Sequence, residues 1–162
     1  MRKQVLSPLQ QEARAKTAVA ELLFRELIVP KVFVDAPWPG TRTVVDVMAI
    51  ERSGTGDVHI AEVNVGAMPL AAVDKLKDAL LRIPAHFKYL AVFDNRSYLP
   101  DARWLYAPDG MGRIGVIQVK EDSADNLTAE FCVRPERFKF DASFKLVDRF
   151  TATHPAYIEI RP

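Results

Sequence analysis

The stretch "VVDVMAIERSGTGDVHIAEVNVG", residues Val44–Gly66, decides the predicted fold, because two apolar segments in it flank a short polar connection. The segments 42–51 and 58–65 are rich in valine and isoleucine, which are typical of β-strands. The connection "RSGTGD", residues 52–57, contains two glycines and is typical of a hairpin turn. The sequence therefore predicts a β-hairpin whose strands pair through this turn.

Each strand of the predicted hairpin carries one carboxylate among apolar neighbours, Asp46 on the first and Glu62 on the second. A buried, ionised carboxylate is costly unless it has a partner, a metal ion or access to solvent. Because side chains alternate along a strand, Asp46 is expected to share a face with Val44 and Met48. By the same alternation, Glu62 shares a face with Asn64 and with the apolar residues Val58 and Ile60. Strand pairing can then bring Asp46 near Glu62.

Two carboxylates that converge on one point repel each other unless a cation lies between them or one keeps its proton. Hard divalent ions prefer oxygen ligands, so Mg²⁺ or Mn²⁺ suits this pair. The backbone carbonyl of Val63 could supply a further oxygen. We therefore expect a Mg²⁺ or Mn²⁺ site formed by Asp46, Glu62 and Val63.

The segments around the hairpin alternate between helix and strand. Ser7 and Pro8 form a helix start, and an apolar stripe continues to about Leu27. The other predicted elements are a strand over 31–35, a helix over 70–83, a strand over 88–94, three further strands near 102–108, 113–121 and 127–135, a last helix from Asp141 and a short segment at 157–160. This order predicts one α/β domain over residues 1–162, with a mixed central β-sheet and a helix on each face.

The order helix, Asp-bearing strand, hairpin, Glu-bearing strand, helix, strand resembles the PD-(D/E)XK nuclease superfamily, which has the restriction-endonuclease-like fold. The resemblance covers roughly Leu9 to Asp94, with extra β-strands and a helix after it. Asp46 and Glu62 stand at the positions of the family's two acidic metal ligands. The resemblance implies Mg²⁺-dependent hydrolysis of phosphodiester bonds in DNA or RNA. The motif is short and degenerate, so the resemblance rests more on the order of helices and strands than on the motif residues.

Asn64 stands where the family usually has a catalytic lysine, and it can donate a hydrogen bond but carries no charge. Lys75 and Lys77, on the helix that follows, are the candidates to replace that lysine, with Lys75 preferred. An acidic residue of the first helix often completes the site in the family. Glu12 and Glu21 are the two choices, and both stay open.

Other functions remain compatible with the sequence. Asp46 could be exposed on a sheet edge or paired with Arg42 or Arg52, and Glu62 could be a salt-bridged strand residue. The chain could be a catalytically inactive member of the fold that acts as a binding or assembly module, as Asn64 and a net charge of only +1 suggest. It could also be an unrelated α/β domain with a small-molecule site.

The composition restricts the compartment and the partners. The single cysteine favours a reducing compartment, and no apolar run reaches the roughly 20 residues of a membrane span, so a cytoplasmic protein without membrane contact is expected. A net charge of +1 indicates no strong overall attraction to nucleic acid, so any basic groove would be local. The strands of the C-terminal half could support a homodimer.

Overall fold

The structure, a computed structural model, describes residues 6–28, 30–38, 42–51, 56–64, 70–93, 105–106, 112–122, 126–139 and 158–159. It is an α/β fold built on one mixed sheet, which confirms the predicted class. The helices are α1 (Pro8–Glu26) and α2 (Leu70–Arg82). The strands are β1 (Pro30–Pro37), β2 (Val44–Glu51), β3 (Val58–Asn64), β4 (Phe87–Phe93), β5 (Gly115–Glu121), β6 (Leu127–Val133) and β7 (Ile158–Glu159).

Helix α1 begins where the sequence predicts it. The Ser7 side chain accepts a hydrogen bond from the Gln10 backbone N–H, and the Gln10 side chain accepts one from the Ser7 N–H, which is a complete capping box. Its buried face consists of Ala15, Ala18, Val19, Ala20, Leu22 and Leu23. The helix ends at Glu26, one residue before the predicted end.

The sheet has the strand order β6-β5-β4-β3-β2-β1-β7. The predicted hairpin is confirmed, because β2 and β3 pair antiparallel. The pairs β3–β4 and β4–β5 are parallel, and α2 provides the crossover between β3 and β4. The carboxyl ends of β3, β4 and β5 therefore lie on one edge of the sheet.

Among the described residues, each face of the sheet carries one helix, as predicted. The face under α1 packs Val32, Val47, Ala49, Ala61, Tyr89, Ala91, Ile117 and Val119 against Val19 and Leu23 of the helix. The opposite face packs Phe33, Met48, Ile50, Ile60, Leu90, Val92 and Val116 against Leu80 and Ile83, near the end of α2. Strand β4 contributes buried residues to both faces, which explains its unbroken apolar sequence.

The last third of the chain agrees with the prediction only in part. Strands β5 and β6 form the expected antiparallel pair, with β6 at one edge of the sheet. Of the predicted strand at 102–108, only Leu105 and Tyr106 are described, and Tyr106 forms an isolated bridge with Arg113. The predicted helix from Asp141 lies outside the described residues. No helix among the described residues is long and apolar enough to cross a membrane.

Candidate functional site

The Asp46 carboxylate lies where the ladder between β2 and β3 ends. The last backbone pair is Val47 with Ala61. Two residues further along β3, the backbone N–H of Val63 donates a 2.8 Å hydrogen bond to Asp46 Oδ2 instead of to a β2 carbonyl. The Asp46 side chain thus replaces the next ladder bond and lies in the opening between the two strands.

The alternation of side chains is interrupted next to this opening. Val47 packs on the α1 side of the sheet, but Val45, two residues earlier, packs on the α2 side. On the neighbouring strand β1, Val34 packs on the α1 side, whereas Ala36 packs on the α2 side. Between them, Asp35 has a positive φ of 51°, an uncommon conformation that aspartate tolerates better than most residues.

This interruption corrects the predicted facing of Asp46. The sequence predicts that Asp46 and Met48 share one face, but Met48 packs on the α2 side, whereas Asp46 reaches a side chain of α1. The side chains of β2 do not alternate regularly here because β2 is rotated where it lies opposite Asp35, the residue with the positive φ. The rotation is what brings Asp46 to α1.

Lys16 is the residue of α1 that meets Asp46. Its Nζ lies 2.7 Å from Asp35 Oδ1, 3.0 Å from Glu12 Oε1 and 3.3 Å from Asp46 Oδ1. The Lys16 side chain is only 12% exposed. Burial by itself would lower the pKa of the Lys16 ammonium. The hydrogen bonds to Asp35 and Glu12 and the charge of Asp46 outweigh burial and raise that pKa above its ordinary value.

Glu62 lies beside Asp46, as the hairpin prediction requires. Asp46 accepts the backbone N–H of Val63, the residue next to Glu62, so the two carboxyl groups are close neighbours. Burial and the negative charge of Asp46 raise the pKa of Glu62 to about 8, although the charge of Lys16 acts in the opposite direction. Glu62 therefore tends to keep its proton near neutral pH unless a cation is added.

Of the two candidate glutamates of α1, Glu12 and Glu21, the structure brings Glu12 to the site. Glu12 contacts Lys16 one turn away, whereas Glu21 is exposed. The two lie nine residues apart in the sequence, and at roughly 100° per residue that separation places them on opposite sides of a helix. Glu12 reaches Asp46 through Lys16, and its role as a metal ligand stays a prediction.

The other predicted residues lie as follows. Asn64 is half-buried at the end of β3, in register with Val92 of β4. Lys75 is exposed on α2, and Lys77 is half-buried. The catalytic roles of Asn64 and Lys75 stay predictions, but the ammonium group that meets the carboxylates belongs to Lys16.

The sequence analysis missed Lys16, although a signal was present. Lys16 follows Glu12 by four residues and lies between Ala15 and Val19, both of which are fully buried. A charged pair at this spacing, on the flank of an apolar stripe, is directed towards the sheet rather than into solvent.

The residues present fit a divalent cation that takes only some of its ligands from the protein. Within the described part of the chain, no group of three or more Asp, Glu, His or Cys side chains is arranged to hold a metal ion. Mg²⁺ needs no such group, because it commonly binds one or two carboxylates and completes its coordination with waters and phosphates. Asp46 and Glu62 can provide those two carboxylates.

The Val63 carbonyl can add a third oxygen. In an extended strand, the N–H and C=O of one residue point towards the same neighbouring strand. Since the Val63 N–H points towards Asp46, its carbonyl faces the same opening, beyond the last β2–β3 pair. The geometry is therefore compatible with the predicted role of Val63.

No family model matches the chain, and no curated protein matches it. Among solved structures, the SPO1766 protein of unknown function from Silicibacter pomeroyi is similar, with 20% sequence identity and a TM-score of 0.57. The similarity covers 92% of this chain and 87% of that chain. It shows the fold.

Proposed function

We propose that the chain is a divalent-cation-dependent phosphodiesterase that acts on DNA or RNA, a divergent relative of the PD-(D/E)XK nucleases. The observation that carries this proposal is the place of Asp46 at the opening of the hairpin, where its Oδ2 accepts the N–H of Val63, the residue next to Glu62. Burial and the negative charge of Asp46 raise the pKa of Glu62 to about 8, and a cation would stabilise two neighbouring carboxylates of this kind.

Each side chain of the site has a distinct task in this proposal. Asp46 and Glu62 hold the cation, and the Val63 N–H fixes the orientation of Asp46. Lys16 adds a positive charge next to Asp46, the charge that Asn64 lacks. When bound, the cation would stabilise negative charge on the phosphate and lower the pKa of a water molecule.

The position of the site in the sheet also supports an anionic substrate. Glu62 lies near the carboxyl end of β3, on the edge where the carboxyl ends of β4 and β5 lie. Ligands commonly bind at this edge in open α/β sheets. Helix α2 begins at Leu70, shortly after β3 ends at Asn64, so the positive end of its dipole is also at this edge.

The test is cleavage of single- and double-stranded DNA and RNA in the presence of Mg²⁺ or Mn²⁺. The Asp46→Asn variant keeps an acceptor for the Val63 N–H but loses the charge, and we expect its rate to fall about 100-fold or more. Glu130→Gln, which removes an exposed carboxylate of β6, is the matched control and should cleave like the wild type. A wild type that cleaves none of these substrates with either ion would contradict the proposal.

One observation favours a second function, a catalytically inactive binding or assembly module. Lys16 already neutralises the carboxylates, and Asn64 replaces the expected lysine. An inactive module should bind no Mn²⁺ at millimolar concentration in calorimetric titration. An active site should bind it, and Glu62→Gln should abolish the binding.

A further inference from the structure

The Lys16 ammonium occupies the position of a cation within the carboxylate cluster. An ammonium group has three N–H donors, and Nζ of Lys16 has one carboxylate of Asp35, Glu12 and Asp46 within 2.7, 3.0 and 3.3 Å, respectively. All three donors are therefore matched by carboxylates. The cluster carries its own counter-ion.

We propose that Lys16 is a built-in counter-ion that competes with a divalent cation for Asp46. When a cation binds Asp46, Lys16 stays at the site through Glu12 and Asp35, and the N–H donor that it released from Asp46 becomes available to an anionic oxygen of the substrate. This proposal rests on the proposed function, because it concerns the same metal site.

The three contacts of Lys16 differ in a way that singles out Asp46 as the partner to be released. The contacts with Asp35 and Glu12 are the shorter two, and the contact with Asp46 is the longest. Asp46 is also held from the other side, because its Oδ2 accepts the Val63 N–H. Asp46 therefore keeps its place when its other oxygen exchanges the ammonium for a cation.

The released donor suits a phosphate oxygen. A hydrogen bond from an ammonium to an anionic oxygen is short and roughly twice as strong as one between neutral groups. Lys16 then supplies, from α1, a charge next to Asp46 without moving away from Glu12 and Asp35. If Lys16 both competes with the cation for Asp46 and donates to a phosphate oxygen, it should weaken metal binding and speed up cleavage. A lysine with only a structural role would do neither.

The experiment compares Mn²⁺ affinity, by calorimetry, with cleavage rate at saturating Mn²⁺, in the wild type and in Lys16→Met and Lys16→Gln. We expect both variants to bind Mn²⁺ more tightly, on the order of tenfold, because one competing positive charge is gone. We expect their cleavage to be slower by about 100-fold. Lys139→Met removes an exposed ammonium next to Phe138, whose N–H donates to the His86 carbonyl just before β4 begins, at the opposite edge of the sheet, so it is the charge-matched control and should change neither quantity.

Two variants are used because Lys16→Met leaves three carboxylates without a counter-ion and could unfold, whereas glutamine still donates hydrogen bonds to them. Unchanged or weaker Mn²⁺ affinity in the folded Lys16 variants would overturn the counter-ion proposal while leaving the metal site intact. Binding by the variants but not by the wild type would support the competition between Lys16 and the cation and would contradict the proposed activity of the wild type. If neither the wild type nor the variants bind Mn²⁺, the proposed function fails, and the counter-ion proposal fails with it.

Discussion

The backbone N–H of Val63 donates a 2.8 Å hydrogen bond to the carboxylate of Asp46 at the point where β2 and β3 stop pairing. One side chain thus ends the hairpin ladder and presents its second oxygen to Lys16. Asp46 therefore contributes both to stability and to the proposed activity. Different substitutions of Asp46 should separate these two contributions.

Asp46→Ala should destabilise the protein more than Asp46→Asn. Alanine leaves the partly buried Val63 N–H without its acceptor, which costs about 1–3 kcal/mol. Asparagine keeps an acceptor and loses only the charge, for which we expect about 1 kcal/mol or less. Urea unfolding without metal ions measures both free energies of unfolding. Equal losses in the two variants would show that the Val63 hydrogen bond contributes nothing to stability.

Most of the fold follows from local patterns in the sequence. The Ser7–Pro8 start and its apolar stripe define α1, and the two glycines between apolar runs define the hairpin. These patterns are reliable because they depend on neighbours in the sequence. The meeting of Asp46 and Glu62 could be predicted for the same reason, since both belong to one hairpin.

The rest of the site depends on contacts between distant parts of the chain. Lys16 reaches Asp46 only because α1 packs across β1 and β2, and a lysine on a helix is by default a solvated residue. The rotation of β2 depends on the positive φ of Asp35 in the neighbouring strand, which regular alternation does not anticipate. Lys88, in the apolar run of β4, is a buried lysine that strand periodicity likewise leaves unexplained.

Glu62→Gln should remove part of the dependence of stability on pH. The pKa of Glu62 is about 8 in the folded protein, above its ordinary value of 4.5, so the folded state holds the proton more tightly. This contribution to stability is complete below pH 4.5 and is lost as the pH rises through about 8. Glutamine imitates the protonated form at every pH.

The measurement is urea unfolding of the wild type and Glu62→Gln, in the presence of a chelator, between pH 5 and pH 9. The two proteins should have similar stability at the acid end, and the variant should become relatively more stable towards the alkaline end. Parallel curves over this range would contradict the raised pKa of Glu62. Mn²⁺ should reverse the order, because it stabilises only a protein that binds it.

Lys88→Met should stabilise the protein at pH 7. Burial lowers the pKa of Lys88 to about 8. Its Nζ donates to the Leu81 carbonyl at 3.2 Å and lies 4.5 Å from the centre of the Phe138 ring. The folded state therefore holds this proton less tightly than the unfolded chain does. We expect a gain on the order of 1 kcal/mol, since these contacts offset part of the cost.

The sign of the pH effect is opposite to that of Glu62. Because the folded pKa of Lys88 is about 8 and the ordinary value is 10.5, wild-type stability should rise relative to the variant as the pH increases from about 8 to 10.5. Lys139→Met, at an exposed lysine, is the control and should run parallel to the wild type. A Lys88→Met variant that is no more stable than the wild type at pH 7 would show that burial of the ammonium carries no net cost.

Glu12→Gln should shift the titration of Lys16 to lower pH, whereas Glu21→Gln should leave it unchanged. The hydrogen bond from Lys16 to the Glu12 carboxylate contributes to the raised pKa of the ammonium, and glutamine accepts the bond without the charge. Glu21 is a matched control on the same helix, because it carries the same charge but is exposed on the other side. NMR of the lysine side chains, followed from neutral to high pH, reports this titration directly. A Lys16 resonance that shifts equally in both variants would mean that Glu12 acts only through the overall charge of α1, and Lys16 would then depend on Asp35 and Asp46 for its position.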